Sequence, residues 1–359
     1  MSRLENSLQR QIQSDGPMDL ARYMDICLLH PDYGYYVTRD PLGEKGDFTT
    51  APEISQMFGE MIGIWSAILW NNINMPAALN LIEIGPGRGT LMADLLRGSQ
   101  HVPGFHDALT ISFVEKSPVL KKKQQEAMDA SGFAGKVTWY DDISDYHARG
   151  PALVIANEFL DALPIRQLEF TDNGWMERRV GYAHLEGFFL GLSPANTEHT
   201  DMMPKHPKIG DIYEFSPARD AYLSRIIDVL AVHGGAALLV DYGHDQKFAQ
   251  GDTFQAMRNH DYIDPFENPG CADLTSHVDF YRIRQVAESK HCHVYGSVEQ
   301  GDLLHKLGIG QRAQMLCDKS PEQKDAIIAA YKRLTDKDKM GQLFRAMAIT
   351  RKLAGEPLL

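Results

Sequence analysis

From Ala78 onward, short apolar runs alternate with helix-forming stretches. Leu79–Ile84, Leu109–Val114, Lys136–Tyr140 and Ala152–Ala156 predict four strands. Thr90–Arg97 and Pro118–Met128 predict helices between them, and Ala218–Val232 leads to a fifth strand at Ala236–Val240. Such alternation predicts an α/β fold, a mostly parallel sheet with helices on both faces. It is interrupted once. Arg166–Phe170 and Trp175–Tyr182 flank Asp172-Asn-Gly174, a hairpin signal, and Phe188–Leu192 predicts a further strand. Residues 166–210 are therefore expected to form an inserted β-rich segment.

The first 75 residues read as a helical lobe. Met18–Leu29 has helical spacing, broken by Pro31 and Gly34. Thr50-Ala-Pro-Glu53 predicts a capping box opening a helix through about Trp70. The core is expected over 76–165 and 211–359. It includes a long loop over 242–275, on the substrate side, then a helix at Phe280–Lys290, a strand near His293–Val298 and C-terminal helices.

Composition narrows the function classes. The chain has 359 residues and a formal net charge of −12. That balance disfavours nucleic acid as a partner, because affinity for it comes from neutralising phosphates, and it suits a cationic substrate. No apolar run is long enough to span a bilayer, so no stable membrane insertion is expected. Cys27, Cys271, Cys292 and Cys317 form no C-x-x-C pair. They read as reduced thiols in a cytoplasmic protein without a metal site. The N-terminus lacks both a secretory core and an Arg-rich transit pattern.

The chemistry begins at Glu83-Ile-Gly85-Pro-Gly87-Arg-Gly89-Thr90, where a strand feeds a tight turn and a helix. The dinucleotide pattern is G-x-G-x-x-G. Here the spacing is G-x-G-x-G, with a carboxylate two residues before the first glycine. That acid would repel a pyrophosphate and attract the amino group of a methionine moiety, which disfavours a nicotinamide dehydrogenase. The strand-end acids extend the reading. Glu115 can accept from both ribose hydroxyls. Asp142 can accept from an adenine amine with Ile143 packed on the ring, or equally cap the next segment. Glu158, with Asp161 and Asn157, stands where a methyl acceptor would be oriented, and carboxylates suit a guanidinium fork. The bland alternatives are a solvated Glu158 and a helix-capping Asp161. His277 and Asp279 are a weaker candidate base pair.

Taken together, these stretches resemble the MidA-like methyltransferases, bacterial relatives of the mitochondrial complex I assembly-factor arginine methyltransferase. The resemblance covers nearly the whole chain. It is carried by Gly46-Asp-Phe-Thr-Thr-Ala-Pro-Glu-Ile-Ser-Gln56, Glu83–Thr90, Asn157-Glu-Phe-Leu-Asp-Ala-Leu-Pro-Ile-Arg166, Leu239-Val-Asp-Tyr-Gly243 and Ala272-Asp-Leu-Thr-Ser-His-Val-Asp-Phe280. It implies a Rossmann-like methyltransferase fold, S-adenosylmethionine as cofactor, and arginine methylation of a protein, such as a complex I subunit. It carries Glu83, Gly85, Gly87 and Gly89 to cofactor binding, and implies that Asp47, Phe48 and Thr49 close over cofactor or substrate. Two other readings stay open: a non-catalytic assembly factor that binds the cofactor, and a methyltransferase acting on a small molecule.

Overall fold

The structure, a computed structural model, describes residues 2–38, 43, 46–47, 49–147, 149–195, 203–247, 251–353 and 356–359. Phe48 lies outside them. Two compact units divide the chain. The larger holds residues 49–160, 222–243 and 282–359, and the smaller holds 1–48, 161–221 and 244–281.

In the larger unit the five expected core strands are Leu79–Ile84, Leu109–Val114, Val137–Tyr140, Ala152–Asn157 and Gly235–His244, here called the first to fifth. A sixth, His293–Glu299, and a seventh, Phe344–Arg351, complete the row. Their spatial order is 6-7-5-4-1-2-3. Strands 1 to 5 pair in parallel, whereas the seventh runs antiparallel between the fifth and sixth. The order reverses between the first and fourth strands, and in open sheets of this kind ligands bind beyond the carboxyl ends at such a reversal. The first strand carries Leu79, Leu81, Ile82 and Ile84 and the fourth Ala152–Ala156, all buried. Strands covered on both faces read as continuous apolar runs, which is why both were visible in the sequence.

Residues 1–75 do not stay together. The helix Gln56–Asn72 packs in the larger unit, where Met57, Phe58, Met61, Ile62 and Trp65 are buried in the main core. Its Gly59 and Gly63 let it lie directly on the helix Thr90–Ser99: a Cβ on Gly63 would fall 2.3 Å from the Leu95 carbonyl oxygen. The helix does not begin at Thr50. Ala51–Ile54 forms a single turn with no side-chain cap from Thr50, and Ser55, in extended backbone, breaks it and caps the longer helix through the Met57 amide. The missed seventh strand lies where C-terminal helices were expected. Its Ala, Met and Arg residues have no strand signature, and burial between two neighbours decides its conformation.

The smaller unit contains the helices Arg3–Asp15 and Leu20–Leu29 and the expected hairpin, Arg166–Thr171 with Gly174–Ala183. Gly187–Pro194 and Ile212–Phe215 extend that sheet. The stretch expected as a long loop is largely ordered. Gln255–Arg258, Asp261–Ile263 and Asp273–Thr275 make a three-stranded sheet, and Ala256, Ala272 and Leu274 join the core formed by Leu4, Leu8, Tyr23 and Met24.

A buried carboxylate holds three helices of the larger unit together. Glu60, 1% exposed, accepts two hydrogen bonds at 2.7 Å from Arg312 and one at 3.2 Å from Arg97. Arg312→Met would leave that carboxylate short of two charge-assisted bonds. The expected loss is about 2 kcal/mol, read as a lower urea midpoint with an unchanged m-value.

Candidate functional site

The first core strand, central in the sheet, places Glu83 near its carboxyl end. Its side chain is 3% exposed, and its Oε2 is buried with no protein hydrogen-bond partner. Burial holds the carboxyl well above its ordinary pKa. A buried acid without a donor is costly, so its position is one a cationic or hydrogen-bonding ligand would relieve. Beyond it the chain turns through Gly85, Gly87 and Gly89 at φ of +64°, +54° and +82°, a region L side chains rarely adopt. A Cβ on Gly85 would stand 2.8 Å from the Phe159 ring. Gly89 is the N-cap of the helix Thr90–Ser99, which brings the positive end of that helix to the loop.

The Glu115 carboxylate follows the second strand. It accepts from the Ser117 amide at 2.8 Å and from Gln124 at 3.3 Å, and burial raises its pKa. Asp142 accepts from the Ser144 amide at 2.8 Å and pairs with Arg225 at 3.0 Å. It therefore does act as a cap. Burial opposes these contacts, but they hold the carboxyl below its ordinary range. Ile143 is buried beside it.

The fourth strand ends at Asn157, 8% exposed, whose Nδ2 donates to Glu158 at 3.1 Å and whose Oδ1 is buried without a hydrogen-bond partner. Glu158 is not a solvated loop acid. Its backbone sits at φ +48°, its amide donates to the Val240 carbonyl at 2.9 Å, and its Oε1 accepts from the Ala51 amide at 2.7 Å. Left-handed backbone at a residue with a side chain persists only where its surroundings fix it. Asp241, 1% exposed within the fifth strand, supplies part of that fixing: its Oδ2 accepts from the Phe159 and Leu160 amides at 3.2 and 2.9 Å.

Two contributors were not singled out from sequence. Asp241 carries the same strand-end signal as Glu115 and was legible by that rule. Glu53 was read only as a cap. In the structure it bonds to the Thr90 hydroxyl at 2.5 Å and to Arg88 at 3.5 Å, so the turn Ala51–Ile54 grips the glycine loop through Glu53 and Glu158 through Ala51.

Asp47 and Asp161 lie in the smaller unit. Asp47 accepts from Tyr35 at 2.6 Å and from the Asn259 amide at 2.9 Å, so it orders the turn between two strands of the small sheet. Asp161 is 7% exposed and caps no helix. Its carbonyl accepts from the Ser276 amide at 3.1 Å and from Arg219 at 3.3 Å. His277 is held neutral-favouring by burial and by His244 and Arg219, while Asp279 stands 4.0 Å from His244. Thr49 precedes the turn Ala51–Ile54 in the larger unit.

A parallel sheet with one reversed strand, a glycine turn over a buried acid and acids at successive strand ends define a methyltransferase of the Rossmann-like class. Known proteins agree. The model of a family described as "Putative S-adenosyl-L-methionine-dependent methyltransferase" matches residues 61–298. The chain is 36% identical over 375 residues to the Drosophila melanogaster protein arginine methyltransferase NDUFAF7 homolog, mitochondrial, covering 96% of this chain and 84% of that one. It is 35% identical to the Homo sapiens protein arginine methyltransferase NDUFAF7, mitochondrial, with 95% and 82% covered. A Burkholderia thailandensis crystal structure bound to S-adenosyl-homocysteine superposes with a TM-score of 0.88 at 26% identity, over 99% of this chain and 93% of that one. The chain belongs to this family of S-adenosylmethionine-dependent methyltransferases. The orphaned Glu83 oxygen and the glycine turn fit the cofactor's cationic methionine end.

Because the Glu83 carboxyl binds its proton more tightly folded than unfolded, it favours the folded state at low pH and loses that contribution as pH rises through the folded pKa. Glu83→Gln is neutral at every pH and escapes the loss. The cofactor-free variant should melt above wild type near about pH 8, with the gap closing toward about pH 5. Differential scanning calorimetry across that range checks this, and a constant gap would refute the ionisation.

Proposed function

We propose that this methyltransferase transfers a methyl group to an arginine side chain of a protein, with Glu158 at the transfer site. The observation that carries this reading is the fixed, left-handed Glu158 at the end of the fourth strand, beside Asn157. It is supported by the relatives named for arginine methylation. By the same likeness, the protein substrate is a respiratory complex I subunit or an assembly partner.

S-adenosylmethionine supplies a sulfonium methyl open to in-line attack. The residues of the chain do the rest. Glu83 holds the methionine ammonium by charge, and the amides of the Gly85–Gly89 turn and the N-terminus of the following helix receive its carboxylate. Glu115 accepts from the ribose hydroxyls. Asp142 keeps a role at the adenine edge through its free lone pairs while Ile143 packs against the ring. Asp47, Phe48 and Thr49 are assigned to closure over cofactor or substrate. Glu158 orients one guanidinium nitrogen by a charge-assisted bond and localises the cation away from it. Asn157 offers its unpaired Oδ1 to an N–H of the acceptor, and Asp161 is a second candidate acid for the substrate. Orientation of this kind accounts for several kcal/mol of a barrier.

Charge is unevenly divided between the units, which supports a basic polypeptide as substrate. The smaller unit has 25 Asp and Glu against 13 Lys and Arg, and the larger has 23 against 23. The whole excess of −12 therefore belongs to the smaller unit. Such a field raises encounter rates with a basic partner and is screened by salt.

Among the described residues no helix is long and apolar enough to cross a membrane. Cys27, Cys292 and Cys317 are buried thiols, and burial pushes Cys27 up to about 12, so its thiol is inert. These thiols support the cytoplasmic assignment.

Glu158→Gln keeps the shape and removes the charge. It should lower methyl transfer to an arginine peptide at least about 100-fold, measured with labelled S-adenosylmethionine, while the dissociation constant for S-adenosyl-homocysteine stays within about twofold. Retained turnover would remove Glu158 from the mechanism. Raising ionic strength from about 0.05 to about 0.3 M should raise KM for a basic protein substrate several-fold while leaving cofactor affinity nearly constant. A KM insensitive to salt would argue for an uncharged acceptor.

A further inference from the structure

We propose that Gln124 is a positioning residue for the cofactor: its side-chain amide locks the glycine turn to the ribose-binding acid Glu115. The proposal rests on the assignment of Glu115 and the glycine turn to cofactor binding.

Gln124 lies on the helix Pro118–Ser131 and is fully buried. Its Nε2 donates to the Gly87 carbonyl at 2.8 Å and to the Glu115 Oε2 at 3.3 Å. Its Oε1 accepts from the Trp139 indole N–H at 2.9 Å. The indole can only donate, while the carbonyl and the carboxylate can only accept. One orientation of the amide satisfies all three partners, and the opposite one satisfies none. Trp139 is itself fixed on the third strand by packing on Phe113, with ring centroids 5.7 Å apart. The helix presses so closely on the turn that a Cβ on Gly89 would meet the Gln124 Cα at 3.2 Å. Two successive β-α connections and the third strand thus meet at one amide.

The consequence for binding is geometric and electrostatic. The Gly87 carbonyl is engaged by Gln124, which pins the turn at its centre. Glu115 receives a donor that favours its charged form against the burial that disfavours it. A ribose diol donates two hydrogen bonds, and a carboxylate accepts both where a carboxylic acid accepts fewer. The other groups that act on Glu115 are the Ser117 and Lys116 amides and Lys121 on the Gln124 helix, which favour the anion, and Tyr222 on the helix Pro217–His233, whose own ionisation Glu115 opposes.

Gln124→Met preserves volume and removes both donors. Calorimetric titration with S-adenosyl-homocysteine should show a dissociation constant raised about tenfold near about pH 7.5, equal to the loss of one net hydrogen bond. KM for S-adenosylmethionine should rise more than kcat falls. The pH at which affinity is half lost on acidification should move upward, because Glu115 loses a donor to its anion. Trp139→Phe, which leaves the Gln124 oxygen unpaired, should shift affinity in the same direction by less. A merely structural role would lower the melting temperature and leave the pH midpoint in place. Wild-type affinity and midpoint in both variants would overturn the proposal, and Trp139→Phe decides it if Gln124→Met does not fold. Glu115→Gln is the control. If it weakens binding while the other two do not, the Gln124 role alone falls. If it binds as wild type, the ribose assignment falls and takes this role with it.

Discussion

The larger unit depends on the first core strand, the element with parallel neighbours on both sides at the point where strand order reverses. A strand so enclosed can carry a charge only where its end leaves the sheet. Glu83 stands at that limit, buried and short of a partner. The turn above it closes through three glycines in left-handed backbone. A cation-seeking carboxylate and an anion-seeking set of amides are then a few residues apart. An amino acid end, with its ammonium and carboxylate, matches that pair in a way a pyrophosphate cannot.

How much of this was legible follows from where each signal is stored. The strands Leu79–Ile84 and Leu109–Val114 fall where periodicity placed them, because full burial demands unbroken apolar runs. The hairpin around Asp172-Asn-Gly174 was equally plain, since turn chemistry is local. Phe344–Arg351 was not. Its Ala, Met and Arg suit a helix, and only pairing with Gly235–His244 and His293–Glu299 makes it a strand. Thr50-Ala-Pro-Glu53 has the letters of a capping box, yet Ser55 competes for the same role and wins at the longer helix. Glu83 and Glu115 were readable as buried acids at strand ends from position alone. The contacts of Gln124 were not, because they come from two loops and a strand that meet only after folding.

The two units divide the physical tasks. The neutral one contains the sheet, the glycine turn and the strand-end acids. The acidic one contains Asp161, the ordered strands at 255–275 and the excess negative charge. Net charge says little about fold, but it does bear on which partners approach and how fast. On the proposed reading, cofactor affinity and substrate capture respond to different variables, burial and hydrogen bonding for the first and ionic strength for the second.

The left-handed Glu158 links the two tasks. Such a backbone costs on the order of 1 kcal/mol or more, and natural sequences keep it where neighbours over-determine it. Here the Val240 carbonyl holds its amide, Asp241 holds the next two amides, and the Ala51 amide and Asn157 hold its carboxylate. Three of these four groups lie outside the tripeptide around Glu158: Val240 and Asp241 on the fifth strand, and Ala51 on the turn that grips the glycine loop. The carboxylate is thus fixed by the same elements that fix the cofactor turn through Glu53. A residue that only terminated a strand would need none of this, whereas the proposed role, to orient an acceptor nitrogen toward a methyl carbon, requires a carboxylate whose position is set before the substrate arrives.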